Sequence, residues 1–273
     1  MCGIAGIICP KNWSAEDNVS MAKKLLLGIE VRGHDATGYA TITNGEINVD
    51  KAAMTASLFV KRKMVGSPVM LLHTRAATNG SPQNNVNNHP IMNKKYNSVI
   101  VHNGIVQPVE TLPADGDCDS EQILQWYHKA GLKNGIKKLF GSMAFAIYHD
   151  KKVYLYRNSN PLIVAYLPKR NMYVFASTYE AIMNALPVKK KSFGLFTQEQ
   201  PVEDIAIKEL EDGEGLIFDL VTGRVKKFTA TSAISPPNVI DEPNIPMEDP
   251  DEVVSMSNFG SWKNVKGMEF SLR

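Results

Sequence analysis

Cysteine is scarce in this 273-residue chain, which contains only Cys2, Cys9 and Cys118. An odd number of widely spaced cysteines in a chain of this length argues against a disulfide framework and is typical of a reducing compartment. The sequence contains no Cys-x-x-Cys motif, no histidine-rich tract and no glycine-rich phosphate loop. We therefore expect neither a structural metal nor a bound cofactor.

Long apolar runs and a strong charge imbalance are also missing. No apolar run reaches the roughly 18 residues of a membrane-spanning helix, and no basic segment precedes the short apolar stretch at the N-terminus. Lys and Arg total 30 against 28 Asp and Glu, for a formal net charge of +2. This balance offers no general attraction to nucleic acid or anionic membranes. The expectation is a cytoplasmic protein without a nucleic-acid or membrane partner.

Short strands are the main secondary structure that the pattern predicts. Apolar and β-branched runs separated by turn residues predict strands at 2–9, 38–43, 46–49, 69–73, 97–102, 143–149, 152–157, 162–167, 172–176, 214–219 and 224–229. Helical spacing of apolar residues predicts helices at 14–31, 119–130 and 178–186, and Ser14 with Asp17 resembles a capping box. Strands and helices do not alternate regularly, which favours an α+β fold with antiparallel sheets over a doubly wound parallel sheet.

The composition changes after about Thr231. Five prolines lie between positions 236 and 250, together with a group of acidic residues. We expect residues 1–230 to form one domain and residues 231–273 to form a proline-rich acidic linker and C-terminal tail. The aromatic residues near the end of the tail fit docking onto the domain or onto a partner, and the pattern does not decide between them.

Cys2 is the first candidate catalytic residue. Removal of Met1 would leave Cys2 with a free α-amine, whose pKa of about 7.7–8.0 lies close to the thiol value of about 8.5. The amine is then a general base held beside its own nucleophile by covalent geometry. For this residue taken alone, a chance cysteine at position 2 is the competing interpretation.

Asn103 and Gly104 follow an apolar run at 99–101 that predicts a strand. A sharp turn there presents the Asn side-chain amide and the Gly backbone N–H to one point, as an oxyanion hole requires. An ordinary hairpin turn is the alternative, because Asn-Gly is common in hairpins. Arg75 follows another strand and offers a fork for a carboxylate. Asp119 begins a predicted helix, where it binds a substrate ammonium or simply caps the helix.

Six short motifs occur along the chain in this order: MCGIAGI, RGHDATG (32–38), HTRAATNG (73–80), NHP (88–90), VHNG (101–104) and DSE (119–121). The set resembles the glutaminase domain of the class II, N-terminal-nucleophile glutamine amidotransferases. It is most similar to the domain found in glucosamine-6-phosphate synthase. The resemblance covers about residues 2–220.

The resemblance implies a four-layer αββα sandwich with two antiparallel sheets, the N-terminal nucleophile hydrolase fold. It assigns Cys2 as the nucleophile with its amine as base, and Asn103 and Gly104 as the oxyanion hole. The other assignments are glutamine-binding positions and one supporting arginine: Arg75, Thr78, Asn79, Asp119 and Arg32. The implied reaction hydrolyses the side-chain amide of glutamine through a cysteine thioester, giving glutamate and ammonia.

The sequence departs from the family pattern in two ways. Ala76 stands where the sugar-phosphate relatives carry an aromatic residue, usually Trp, in a loop that closes over glutamine. We expect weaker loop closure or coupling as a result. The residues after the domain are also too few for a synthase domain. Ammonia would then pass to a separate synthase subunit, pass to an acceptor bound on this chain, or be released. The sequence makes no prediction of the oligomeric state.

Two other functions fit the same residues. One is a hydrolase that acts on other γ-glutamyl amides. The other is a catalytically silent glutamine-binding module, in which a retained Met1 blocks the Cys2 amine.

Overall fold

The computed structural model describes residues 1–78, 80–193, 196–201, 205–233, 253–254 and 263–265. For residues 189–193, 196–201, 253–254 and 263–265 it describes the backbone only. The α-helices in this part of the chain are α1 Ala15–Ile29, α2 Ala56–Phe59, α3 Ser120–Ala130, α4 Leu132–Ile136 and α5 Tyr179–Ala185. A short 3-10 turn, Glu30–Arg32, follows α1, and another, Asn85–Asn87, lies in the Asn-rich loop.

The strands outnumber the helices. They are β1 Gly3–Ile8, β2 Ala36–Thr43, β3 Glu46–Ala52, β4 Val69–Arg75, β5 Ile91–Asn93, β6 Ser98–Pro108, β7 Leu139–His149, β8 Lys152–Asn158, β9 Ile163–Leu167, β10 Met172–Ala176, β11 Val188–Phe193, β12 Phe196–Pro201, β13 Ile205–Glu209, β14 Glu214–Asp219, β15 Val225–Thr229, β16 Val253–Val254 and β17 Lys263–Val265.

Two large antiparallel sheets organise these strands. The first has the order β17-β13-β9-β10-β1-β4-β2-β3, and the second has the order β16-β15-β14-β8-β7-β6-β5. Strands β11 and β12 form a separate hairpin. β1 lies in the middle of the first sheet, and β6 lies one strand in from the edge of the second. These positions decide where the candidate site forms.

Alternation along each strand builds the layers. In β1, Ile4 and Ile8 face the second sheet, whereas Ala5 and Ile7 face α1 and α5. β1 therefore reads as a continuous apolar run, because both of its faces are buried. The outer face of the second sheet packs against α3 and α4 around Trp126. The predicted αββα sandwich with two antiparallel sheets is confirmed.

The predicted elements match the structure closely, with a few differences. Ser14 caps α1, and its hydroxyl accepts a hydrogen bond from the Asp17 N–H at 3.3 Å. The pattern missed the short elements α2, β5, α4 and β13, which have only three to five residues each. It also missed the β11–β12 hairpin, whose sequence is rich in lysine and other polar residues. Most of the predicted linker and tail, 231–273, lies outside the described residues. Within it, β16 pairs with β15 and β17 pairs with β13. The domain boundary at 230 stays a prediction.

Across the part of the chain that the structure describes, no helix combines the length and apolar character needed to cross a membrane.

The packing of α1 gives a first test. Leu26 is fully buried against the first sheet, whereas its neighbour Leu27 is 45% exposed. Leu26→Ala should lower the free energy of unfolding by about 2–5 kcal/mol, because it removes buried methyl groups and leaves a cavity. Leu27→Ala should change it by less than about 0.5 kcal/mol. Urea denaturation measures both, and equal effects would contradict the described orientation of α1.

Candidate active site

The register between β1 and β4 sets the position of Cys2. Gly3 pairs with Thr74 and Ile4 pairs with His73, so Cys2 lies at the end of β1 beside Arg75. Alternation from Ile4 and Ile8 directs the Cys2 side chain toward the second sheet. The half-buried Cys2 thiol donates a hydrogen bond to the Ala76 carbonyl oxygen, with an Sγ–O distance of 3.5 Å. The candidate nucleophile is therefore held against the 75–76 turn.

Asn103 lies on the facing side of the second sheet. Val99 and Val101 on β6 point into the space between the sheets, and Asn103 follows the same alternation. β1 and β6 pack against each other across that space. The buried His73 side chain joins the two sheets directly, since its Nε2 lies 3.0 Å from the His102 carbonyl oxygen and donates to it. Cys2 and Asn103 therefore project into the same layer from opposite sheets.

The Asn103 side chain is a donor and acceptor with no protein partner. Its Nδ2 and Oδ1 are fully buried, and neither has a hydrogen-bond partner among the described residues. Leaving such a group unsatisfied costs about 1–3 kcal/mol, so it calls for a functional explanation. The Asn103 backbone is held differently, because its carbonyl oxygen accepts a hydrogen bond from Asn160 Nδ2 at 3.0 Å.

Gly104 adopts a backbone conformation that excludes other residues. Its φ is +152°, and an added Cβ would lie 2.0 Å from the Ser142 carbonyl oxygen on the neighbouring strand. Glycine is the only residue that tolerates both constraints. The sharp turn predicted at Asn103–Gly104 is wrong, because β6 continues through both residues, which pair with Ala144 and Met143 of β7. The strand, not a turn, therefore carries the two candidate oxyanion-hole residues.

Arg75 is almost fully buried at the end of β4. Its Nη1 donates to Asn88 Oδ1 at 2.8 Å, and its Nη2 donates to the Gly80 carbonyl oxygen at 2.9 Å. The Asn-rich loop at 80–90 thus packs onto Arg75. Asn88 and His89 in that loop are buried.

Asp119 precedes α3 but does not cap it through its side chain. Its Oδ2 accepts a hydrogen bond from the Val106 N–H at 2.7 Å, which directs the carboxylate toward β6 and the Asn103–Gly104 step. Simple helix capping therefore does not account for this residue. A carboxylate has further lone pairs for a second donor, so Asp119 can still accept from an ammonium.

The remaining predicted site residues differ in their placement. Arg32 ends the 3-10 turn after α1, and its Nε donates to the Cys2 carbonyl oxygen at 2.8 Å. Thr78 is exposed on the loop after β4. Asn79 lies outside the described residues. The structure thus brings Cys2, Arg75, Asn103, Gly104 and Asp119 to one end of the sandwich, with Arg32 behind Cys2.

The electrostatic surroundings keep the Cys2 thiol protonated. Burial is the main cause and raises its pKa, the positive charge of Arg75 lowers it, and the Asp119 carboxylate raises it. The Arg75 guanidinium and the Asp119 carboxylate thus have opposite effects on the pKa of the Cys2 thiol. A thiol in this state needs a base to become a nucleophile.

Three buried histidines, His73, His89 and His102, lie on and beside β6. His73 and His89 stack with ring centroids 4.2 Å apart, and His102 Nδ1 lies 2.7 Å from the Ser120 hydroxyl. Burial lowers the pKa of His73 to about 3 and that of His102 to about 4, and it also lowers the pKa of His89. All three rings are neutral near pH 7; His73 and His102 form hydrogen bonds, and His89 packs by stacking on His73.

Sequence reasoning did not assign roles to His73, Asn88 or Asn160. His73 and Asn88 stand inside the motifs HTRAATNG and NHP, and Asn160 lies between β8 and β9. Their hydrogen-bond partners are backbone carbonyl oxygens or side chains of other segments. A single sequence does not show such contacts.

Comparisons with known families and proteins identify relatives of this chain. Residues 73–184 match the family described as a glutamine amidotransferase domain. The glutamine–fructose-6-phosphate aminotransferase (isomerizing) of Sulfolobus acidocaldarius is 31% identical over 248 residues, covering 81% of this chain and 40% of that protein. The protein of the same name from Clostridium acetobutylicum is 30% identical over 226 residues, covering 73% of this chain and 36% of that protein. The chain spans about two fifths of the length of these relatives.

Two solved structures share the fold. The glutamine phosphoribosylpyrophosphate amidotransferase from B. subtilis, complexed with ADP and GMP, aligns with a TM-score of 0.58 at 20% identity, covering 84% of this chain and 49% of that one. A structure of the allosteric regulatory enzyme of purine biosynthesis aligns with a TM-score of 0.62 at 18% identity, covering 85% of this chain and 50% of that one. At these identities the likeness concerns the fold.

The two facing antiparallel sheets, each covered by helices, define an N-terminal nucleophile hydrolase fold. Within that class, the chain contains a class II glutamine amidotransferase domain.

The histidine cluster predicts an acid-sensitive stability. Because the pKa values are lowered in the folded state, the unfolded state binds more protons below its own value of about 6.5. The stability is therefore present above about pH 6.5 and is lost as the pH falls toward 4. Each ring contributes up to about 1.4 kcal/mol per pH unit in this window.

Urea denaturation of the wild type and of His89→Phe between pH 7.5 and 5.0 measures this effect. His89 is the best position, because neither ring nitrogen has a hydrogen-bond partner among the described residues and Phe keeps a stacking ring. The variant should lose less stability per pH unit than the wild type. Identical pH dependence in the two proteins would contradict a neutral buried His89.

Proposed function

We propose that this domain hydrolyses the side-chain amide of glutamine through a thioester on Cys2, giving glutamate and ammonia. One observation carries the proposal. Cys2 and the buried, unpartnered Asn103 amide face the same layer from opposite sheets, with Arg75 and Asp119 beside them. A nucleophile, an oxyanion donor and two opposite charges are the groups that amide hydrolysis of an amino acid requires.

Activation of the nucleophile depends on removal of Met1. The free Cys2 amine would then lie within reach of its own thiol and take the thiol proton directly or through one water. Burial raises the thiol pKa, so this base is needed at neutral pH. The hydrogen bond from Arg32 to the Cys2 carbonyl oxygen fixes the backbone on the other side of the residue. Arg32 therefore positions the nucleophile without touching the substrate.

Substrate orientation comes from opposite charges. In the proposed complex, Arg75 binds the glutamine carboxylate and Asp119 binds its ammonium, which directs the side-chain amide toward Cys2. Thr78 and Asn79 belong to the glutamine-binding positions that the family resemblance implies. Two fixed charges of this kind discriminate against ligands that lack either group.

The chemical steps follow from these positions. The Cys2 thiolate attacks the amide carbon, and Asn103 Nδ2 with the Gly104 N–H stabilises the oxyanion. The Cys2 ammonium gives its proton to the amide nitrogen, which leaves as ammonia when the carbon–nitrogen bond breaks and the γ-glutamyl thioester forms. Water, deprotonated by the same amine, then hydrolyses the γ-glutamyl thioester and releases glutamate.

The fate of ammonia belongs to the proposal as well. The relatives are aminotransferases of about two and a half times the matched length, so we propose that the ammonia is transferred to an acceptor. The Ala76 carbonyl oxygen accepts the hydrogen bond from the Cys2 thiol, and we expect the small Ala76 side chain to weaken loop closure over glutamine or coupling to the acceptor site. The cytoplasmic location suggested by the free cysteines stays a prediction.

A glutaminase assay of the purified, Met1-processed protein tests the nucleophile. Cys2→Ala should abolish ammonia release, because the thioester no longer forms. Cys9→Ala is the matched control, since Cys9 is a buried free thiol on the helix side of the first sheet, and it should keep its activity. Full activity in Cys2→Ala would contradict the assignment of Cys2 as the nucleophile. Faster turnover of γ-glutamyl alkylamides than of glutamine would favour the alternative hydrolase.

The oxyanion hole has a separate kinetic signature. Asn103→Ala should lower kcat about 100- to 1,000-fold, because one donor to the developing charge is lost. KM should change little, since the oxyanion forms only in the transition state. Asn48→Ala, at an exposed position of β3, is the control. Steady-state kinetics with glutamine measures both, and a change confined to KM would contradict the oxyanion role.

A further inference from the structure

Lys51 lies outside the residues assigned to the reaction, yet it reaches the loop that holds Arg75. It stands on the edge strand β3, opposite Gly38 of β2. An added Cβ at Gly38 would lie 2.3 Å from the His89 carbonyl oxygen and 2.6 Å from Lys51 Cβ. The missing side chain at Gly38 therefore lets the loop at 85–90 approach β2 at the point where the Lys51 side chain crosses it.

The Lys51 ammonium bonds to that loop on both sides of the His89–Pro90 peptide. Its Nζ donates to the Asn88 carbonyl oxygen at 2.5 Å and to the Pro90 carbonyl oxygen at 3.0 Å. The main chain adds a third contact, since Asn85 Nδ2 donates to the Lys51 carbonyl oxygen at 2.9 Å. Lys51 thus holds the loop through its side chain and its backbone.

Asn88 connects this anchored loop to Arg75. The Asn88 side chain is fully buried, and its Oδ1 accepts the hydrogen bond from Arg75 Nη1 at 2.8 Å. Its Nδ2 donates to the Pro82 carbonyl oxygen at 2.6 Å and to Asn85 Oδ1 at 3.0 Å. Every polar atom of the Asn88 amide is engaged, so a shift of its backbone would move the acceptor that orients Arg75.

We propose that Lys51 is a positioning residue for glutamine binding, because it anchors the Asn88–Pro90 segment whose amide orients the Arg75 guanidinium. The proposal rests on the proposed function, in which Arg75 binds the substrate carboxylate. Lys51 itself touches neither the substrate nor Cys2 in this account. Two hydrogen bonds connect Lys51 to Arg75. Lys51 donates to the Asn88 carbonyl oxygen, and Arg75 donates to the Asn88 side chain.

The role predicts which kinetic constant changes. The glutamine carboxylate lies far from the reacting amide, so its bond to Arg75 is equally strong in the ground state and the transition state. Loss of such uniform binding raises KM and leaves kcat unchanged. A loosened fold would instead lower the active fraction and therefore the apparent kcat. The split between KM and kcat separates positioning from a merely structural role.

The experiment compares three substitutions in the full chain by steady-state glutaminase kinetics. Lys51→Met keeps the length of the side chain but removes the donors, and it should raise the KM for glutamine about tenfold with kcat within about twofold. Lys51→Arg restores a charged donor and should recover most of the loss. Lys94→Met is the control, because Lys94 is an exposed lysine that lines one surface cleft together with Lys51. The KM of this variant should match that of the wild type.

Unchanged KM in Lys51→Met, or a fall in kcat without a rise in KM, overturns the proposal. If Lys51→Met does not fold, Asn88→Ala provides the test. This variant removes the acceptor that Asn88 offers to Arg75, and it should raise the KM for glutamine in the same way.

Calorimetric titration of glutamine into Cys2→Ala and Cys2→Ala/Lys51→Met separates this proposal from the proposed function. Binding that is about tenfold weaker in the double variant supports the role of Lys51 even if the wild type proves to have no glutaminase activity. Equal binding in the two variants overturns it.

Discussion

The antiparallel register between β1 and β4 is the constraint on which the candidate site depends. It pairs Gly3 with Thr74 and thereby places Cys2 beside Arg75, with the side chains of both strands alternating into the same space between the sheets. A shift by one residue would turn Cys2 toward the helices. Gly3 reinforces the register, because an added Cβ would lie 2.7 Å from the Thr74 hydroxyl and 2.8 Å from the Ile29 carbonyl oxygen.

Two separate sets of buried hydrogen bonds hold the two halves of the site. His73 and Asn160 donate to consecutive carbonyl oxygens of β6, at His102 and Asn103, and so fix the backbone beside the Asn103 side chain. Asn88 and the Gly80 carbonyl fix the Arg75 guanidinium. The two sets contact each other where the His73 and His89 rings stack. In the proposed function, the first set supports the oxyanion donors and the second supports the cation that binds the substrate carboxylate. Preorganisation of this kind lets such groups act without reorganisation during the reaction.

Much of this architecture could be predicted from the sequence, because its signals are local. The Ile-rich run of β1, the cap at Ser14 and the strand entering Asn103 are all visible in neighbouring residues. Asp119 is an exception. Its position predicts a helix cap, but its carboxylate accepts a hydrogen bond from the Val106 N–H on β6. Lys51, Asn88 and Asn160 act through carbonyls and amides that are distant in sequence, so no pattern within one segment reveals them.

The account's central claim is that the mature chain begins with Cys2 and that its sulfur is the nucleophile in a glutamine pocket. The most direct measurement is mass spectrometry of the native protein after reaction with an electrophilic glutamine analogue, followed by peptide mapping. The account predicts a chain that lacks Met1 and carries one adduct on the Cys2 sulfur, formed more slowly when glutamine competes. A chain that retains Met1, or an adduct on Cys9 or Cys118 with Cys2 unmodified, would contradict it.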